Sequence, residues 1–141
     1  MKKIVKSTVS VLLSLVLIFA LVACGKTDNA SLWANATYTE DTAFGEGGKT
    51  VQVEVVVGDK SVTLTVNTDA ETLGEALFAH GLIDGEDSAY GLYLKTVNGI
   101  TADYDVDKSY WGFYKNGEYM MTGVDGTVIA DGEHYELTYS K

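Results

Sequence analysis

The chain has 141 residues, one cysteine, no proline, 15 glycines and nine tyrosines, and its 10 Lys and Arg face 20 Asp and Glu for a formal charge of −10. So acidic a chain repels phosphates, which excludes nucleic acid and anionic lipid headgroups as electrostatic partners. A lone cysteine excludes an internal disulfide and a thiolate zinc site, so the fold must rest on its apolar core.

Taken in chain order, Lys2, Lys3 and Lys6 come first, followed by an apolar run at residues 11–20 and then Leu21-Val22-Ala23-Cys24. A basic start, an apolar centre and small residues at the break are the parts of an export signal. The quartet ending in Cys24 resembles a bacterial lipobox, in which the cysteine becomes the lipidated first residue of the mature chain. The competing reading is a membrane-spanning helix over residues 4–23, nearly long enough to cross and oriented by its lysines. Against it, the apolar run stops at the cysteine and Gly25-Lys26-Thr27-Asp28-Asn29 turns polar at once. The expectation is a signal peptide at residues 1–23, lipidation at Cys24, and an extracytoplasmic body held at the cell membrane by that lipid. Setting aside Lys2, Lys3 and Lys6 takes the remainder to −13.

Residues 24–49 are rich in Asn, Ala, Thr, Asp and Gly, and Gly45-Glu46-Gly47-Gly48 closes the segment. That composition predicts a flexible linker, although Trp33 and Tyr38 are unusual in a spacer. Residues 50–141 form the predicted domain. Val51, Val53, Val55 and Val57 alternate with polar residues, as do Val62, Leu64 and Val66, and Gly58-Asp59 between them signals a hairpin. Thr72 with Glu75 three residues on reads as a capping box, followed by Leu73, Ala76, Leu77 and His80 at helical spacing and by Gly81 as a stop. A strand follows from Leu92 to Val97, ending at Asn98-Gly99. Tyr110 to Lys115 and Glu118 to Met121 flank Asn116-Gly117, a strong hairpin signal. On the first of these strands Trp111 and Phe113 share one face. Tyr135, Leu137 and Tyr139 share a face of the last strand, after a turn at Asp131-Gly132. Asp84-Gly85 and Asp125-Gly126 read as further turns. Two strands, one helix and then more strands is the order of a β-grasp, so the fold class is α+β, a mixed sheet packed on one helix.

Four stretches together carry a family resemblance: Gly91-Leu92-Tyr93-Leu94-Lys95-Thr96-Val97-Asn98-Gly99, Tyr110-Trp111-Gly112-Phe113, Tyr119-Met120-Met121-Thr122-Gly123-Val124, and Asp131-Gly132-Glu133-His134-Tyr135-Glu136-Leu137. In this order they resemble the C-terminal domain of transcobalamin and intrinsic factor, and the bacterial lipoproteins that carry the related DUF4430 domain. The resemblance implies a domain that covers one face of cobalamin, with Trp111, Gly112, Tyr119, Met120 and Met121 at the ligand-binding positions. Flat aromatic and flexible thioether side chains suit a broad, mostly apolar disc. At Gly112 the vitamin carriers have a larger polar residue. Their helical partner domain is absent here, which implies hand-off of the corrinoid to a transporter or a second binding protein.

Asp103, Asp105 and Asp107 alternate as calcium loops begin, but Lys108 and Tyr114 stand where glycine and glutamate are needed, so no metal is expected. No serine or histidine stands in a nucleophile setting and nothing selects a carboxylate pair, so the expectation is no enzyme, no catalytic residue and no resident cofactor. The remaining functional class is a surface module that binds another protein or a wall polymer.

Overall fold

The computed structural model describes residues 27–141, so the expected signal peptide and Cys24 lie outside the described residues. A short helix, α1 (Thr27–Trp33), comes first, and Leu32–Lys141 form one compact unit. Among the described residues no helix is long and apolar enough to cross a membrane.

The valine alternation builds the centre of the fold. Val51, Val53, Val55 and Val57 are buried along β2 (Lys49–Val57), and Val62, Leu64 and Val66 along β3 (Lys60–Thr68), paired antiparallel across a turn at Gly58. The last strand, β9 (His134–Ser140), lies parallel to β2 and buries Tyr135 and Leu137 on the same side. β7 (Tyr110–Lys115) runs antiparallel to β9, and β8 (Glu118–Tyr119) folds back on β7 through Asn116-Gly117. Asn116 (φ +49°) and Gly117 (φ +83°) are both left-handed, which matches the twist of the flanking strands.

One helix, α2 (Leu73–Phe78), covers the apolar face of this sheet with Leu73, Ala76 and Leu77 buried. Thr72 caps it, its hydroxyl accepting the Glu75 N–H at 3.3 Å. Helical spacing predicts a run to His80, but the helix stops two residues earlier. His80 lies beyond it, its ring 5.6 Å from that of Phe44.

Two expectations are corrected. The linker predicted through residue 49 is folded from Leu32 onward: β1 (Thr42–Phe44) pairs in parallel with β3, completing a six-stranded mixed sheet of order β1-β3-β2-β9-β7-β8. Leu32, Trp33, Ala36, Tyr38 and Phe44 pack on the core. Apolar side chains spaced irregularly in a polar segment show no period, which is why composition alone reads as a spacer. Secondly, Asp84-Gly85 is no turn but a bulge within β4 (Ile83–Ser88). β4, β5 (Gly91–Val97) and β6 (Ile100–Thr101) form a separate three-stranded antiparallel sheet. At Gly85 an added Cβ would stand 2.2 Å from the Tyr93 carbonyl oxygen, so the glycine marks close strand approach.

Candidate functional site

Where the β4–β5 hairpin meets β7 and the chain leaving β8, a groove of about 330 Å³ opens to solvent. β5 lines it with Leu92, Tyr93 and Leu94, and β7 with Tyr110, Trp111 and Phe113. Tyr119, Met120, Met121, Thr122, Gly123 and Val124 close the remaining side. None of these side chains is charged, although the chain as a whole is strongly acidic.

Trp111 forms the floor rather than an outward platform. It is 7% exposed, its indole N–H donates to the Lys95 carbonyl at 3.0 Å, and its ring meets Tyr139 edge-on at 5.7 Å. That hydrogen bond ties β7 to β5 across the base of the groove. Phe113 stacks on the buried Tyr135 at 5.7 Å. The strand expected to run through Met121 ends at Tyr119, and the adjacent methionines beyond it divide between core and solvent. Met120 is half-buried on the core, its N–H donating to Phe113 C=O at 2.9 Å, while Met121 is 90% exposed at the rim. Tyr119, 63% exposed, stands beside it and meets Tyr114 edge-on at 5.6 Å.

Four of the five residues singled out in the sequence thus come together: Trp111, Tyr119, Met120 and Met121. Gly112 does not join them. It alternates to the other side of β7, where an added Cβ would come 3.0 Å from the Tyr114 ring. Leu92, Leu94, Tyr93, Tyr110 and Phe113 were not singled out. Their signal was alternation along strands read as framework, and only the pairing of two sheets turns those faces toward one space.

The nearby cation is committed elsewhere. Lys95 Nζ lies 3.1 Å from Glu86 and 3.7 Å from Asp103, and the Glu86 hydrogen bond outweighs desolvation to hold its pKa above the ordinary lysine value. The aspartate alternation that suggested calcium is spent on a turn. Asp103 caps α3 (Tyr104–Asp107) by accepting the Asp105 N–H at 3.1 Å, and Asp107 accepts both the N–H and hydroxyl of Ser109. Among the described residues no three His, Cys, Asp or Glu side chains converge to hold a metal.

Away from the groove, Tyr135 is fully buried with its hydroxyl toward the Glu133 carboxylate. Burial, with the Glu133 carboxylate nearby, pushes its pKa far above the ordinary phenol range. Burial alone would raise the Glu133 carboxyl, but its ion pair with Lys115 and the Ala130 N–H hold it below the usual carboxylate range.

Fold and groove define an α+β domain with a one-sided, uncharged cleft walled by aromatic and thioether side chains. Residues 70–141 match the family described as Domain of unknown function (DUF4430), and the chain belongs to that family. It is 28% identical to human Transcobalamin-1 over 93 residues, which is 66% of this chain but only 21% of that protein. The chain thus spans about a fifth of the length of this relative. Among solved structures it is similar to a candidate metal binding protein from Ruminococcus gnavus ATCC 29149. That match is 39% identical with a TM-score of 0.63, covering 67% of this chain and 98% of the other. Haptocorrin in complex with Cbi matches in fold at 20% identity and a TM-score of 0.55, over 70% of this chain and 26% of that one.

Proposed function

We propose that this protein is a ligand-binding lipoprotein of the extracytoplasmic membrane surface, anchored through lipid on Cys24, whose groove receives one face of a corrinoid. The observation that carries the reading is an uncharged aromatic floor ringed by apolar side chains left in water, above all Met121 and Tyr119. Folded domains rarely leave such side chains grouped in solvent without a partner to cover them. The likeness to Transcobalamin-1 supports a corrinoid as that partner.

The groove is at the small end of ligand pockets, so a corrin disc lies across it rather than entering. Trp111 and Phe113 form the base, Met121 and the tyrosines bear on the face of the disc, and tyrosine hydroxyls and backbone groups meet its amide fringe. One covered face gives weaker binding than a closed clamp, and release to a transporter or second binding protein follows from that weakness. The chain performs no catalysis in this reading; it captures and passes on.

Titrating the full chain in detergent micelles with cobinamide and with cobalamin, by calorimetry and visible spectrum, tests the proposal. The expected dissociation constant is about 1–100 μM for a single buried face. Absence of heat and of spectral change throughout that range overturns it, leaving the protein or wall-polymer module as the surviving class. For the anchor, Cys24→Ser should abolish incorporation of a fatty-acid label and release the chain from membranes. Undiminished labelling would refute lipidation at that position.

A further inference from the structure

We propose that Asp125, which does not itself line the groove, is the positioning residue that sets the separation of its two walls. Asp125 lies in a 3₁₀ turn (Val124–Gly126) that continues from the wall at residues 122–124. Its Oδ2 accepts the N–H of Leu92, on the opposite wall, at 3.0 Å. The turn is rooted on the body of the fold. The Thr127 hydroxyl donates to Gly123 C=O at 2.8 Å, and Thr127 C=O accepts the Leu73 N–H at the start of α2 at 2.9 Å.

Three glycines, distant in sequence, make room for this one aspartate. A Cβ at Gly91 would stand 2.9 Å from Asp125 Oδ2, one at Gly123 2.9 Å from its Oδ1, and one at Gly74 2.9 Å from its Cα. Each comes from a different element: the β4–β5 hairpin, the groove wall and α2. The consequence for the groove lies in where β5 is held. Its groove-lining stretch, residues 92–94, is pinned next to one end by the Trp111 indole on Lys95 C=O and at the other by Asp125 on Leu92 N–H. Releasing the second pin frees the hairpin to swing away from residues 122–124 while the first acts as hinge.

Two unlike substitutions should release it. Asp125→Ala removes the acceptor. Gly123→Ala keeps the aspartate, and at φ −74°, ψ 169° its backbone accepts alanine, but the new methyl displaces the carboxylate, the mobile end of a side chain. Hydrogen exchange of the full chain reads the result without any ligand. Leu92 N–H should exchange about threefold faster or more in both variants, with Val97 N–H unchanged, while Asp125→Asn, which keeps an acceptor oxygen, stays within about twofold of the native chain. The double variant should be no faster than Asp125→Ala, because both changes break the same link. Unchanged Leu92 exchange in Asp125→Ala, or an equal rise at Val97, overturns the proposal. A second arm rests on the corrinoid reading: cobinamide affinity should fall about threefold or more in Asp125→Ala and recover in Asp125→Asn. A native chain that ignores cobinamide refutes that reading alone, since the exchange result still decides the role of Asp125.

Discussion

At the scale of single residues, Trp111 and Met121 are neighbours in the groove with opposite energetics. Trp111 is buried and its N–H is spent on Lys95 C=O, so Trp111→Phe removes that donor, leaves the carbonyl with the Ala102 N–H alone and opens a small void. The expected loss is about 1–3 kcal/mol of stability. Met121 is almost wholly in solvent, so Met121→Ala should leave unfolding by urea within about 0.5 kcal/mol of the native chain. Its effect should appear instead as weaker cobinamide binding, by about threefold or more, through lost thioether contact. A destabilised Met121→Ala with native affinity would reverse the roles assigned to the pair. Tyr119, Met120 and Met121 were legible through the family resemblance, while Asn116-Gly117 fixes only the turn ahead of them. Gly112 was not, because family position says nothing about which side of a strand a residue faces. Asp125 could not be found at all: its three glycine neighbours lie at positions 74, 91 and 123, and only folding brings them together.

At the scale of elements, the segment ahead of β1 is held by Asn98, in the turn between β5 and β6. Asn98 is buried with φ +52°; its side chain accepts the Tyr38 N–H at 2.9 Å and donates to Tyr38 C=O at 2.8 Å, while its own carbonyl accepts the Thr37 N–H at 2.9 Å. The amide therefore imitates one rung of a strand pair. Asn98→Ala loses both side-chain bonds and puts alanine in a left-handed conformation, for an expected loss of about 2–4 kcal/mol. Asn98→Gly keeps the backbone geometry but not the bonds, so it should recover only about 1 kcal/mol of that loss. Denaturant unfolding of the two variants separates the contributions, and equal stability would place the whole effect in the side-chain bonds. The β2–β3 hairpin was readable because each strand alternates apolar and polar residues with one face buried. β4 was not: beyond Ile83 it carries Asp84, Gly85, Glu86, Asp87 and Ser88, with no buried alternation, at the edge of its sheet. Acidic residues on an edge strand discourage pairing with another chain, a purpose that leaves no hydrophobic signature.

At the scale of the molecule, two electrostatic effects compete over how stability depends on pH. With a formal charge of −10, self-repulsion alone would place greatest stability where the net charge vanishes, in the carboxylate titration range. Local linkage predicts otherwise. Glu133 and Asp107 are held below ordinary carboxylate pKa values, Glu133 by its ion pair with Lys115 against an opposing burial effect and Asp107 by hydrogen bonds from Ser109. In acid the unfolded chain therefore takes up protons that the folded chain refuses, and stability falls as pH drops from about 4.5 through the folded values. At the alkaline end the sign reverses. Tyr135 and Lys95 have raised values, Tyr135 through burial and Lys95 through Glu86, so the folded chain keeps protons that the unfolded chain releases above about pH 10. The thermal midpoint should accordingly rise from pH 3 to 5, hold level, and decline above pH 10. Glu133→Gln tests the acid limb, because it removes that titration while Lys115 remains: the rise between pH 3 and 5 should flatten, and the midpoint at pH 7 should drop with the loss of the ion pair. A native chain most stable near pH 4 would show instead that net repulsion outweighs the local pairs, and the Lys115–Glu133 contact would then be a minor element of the fold.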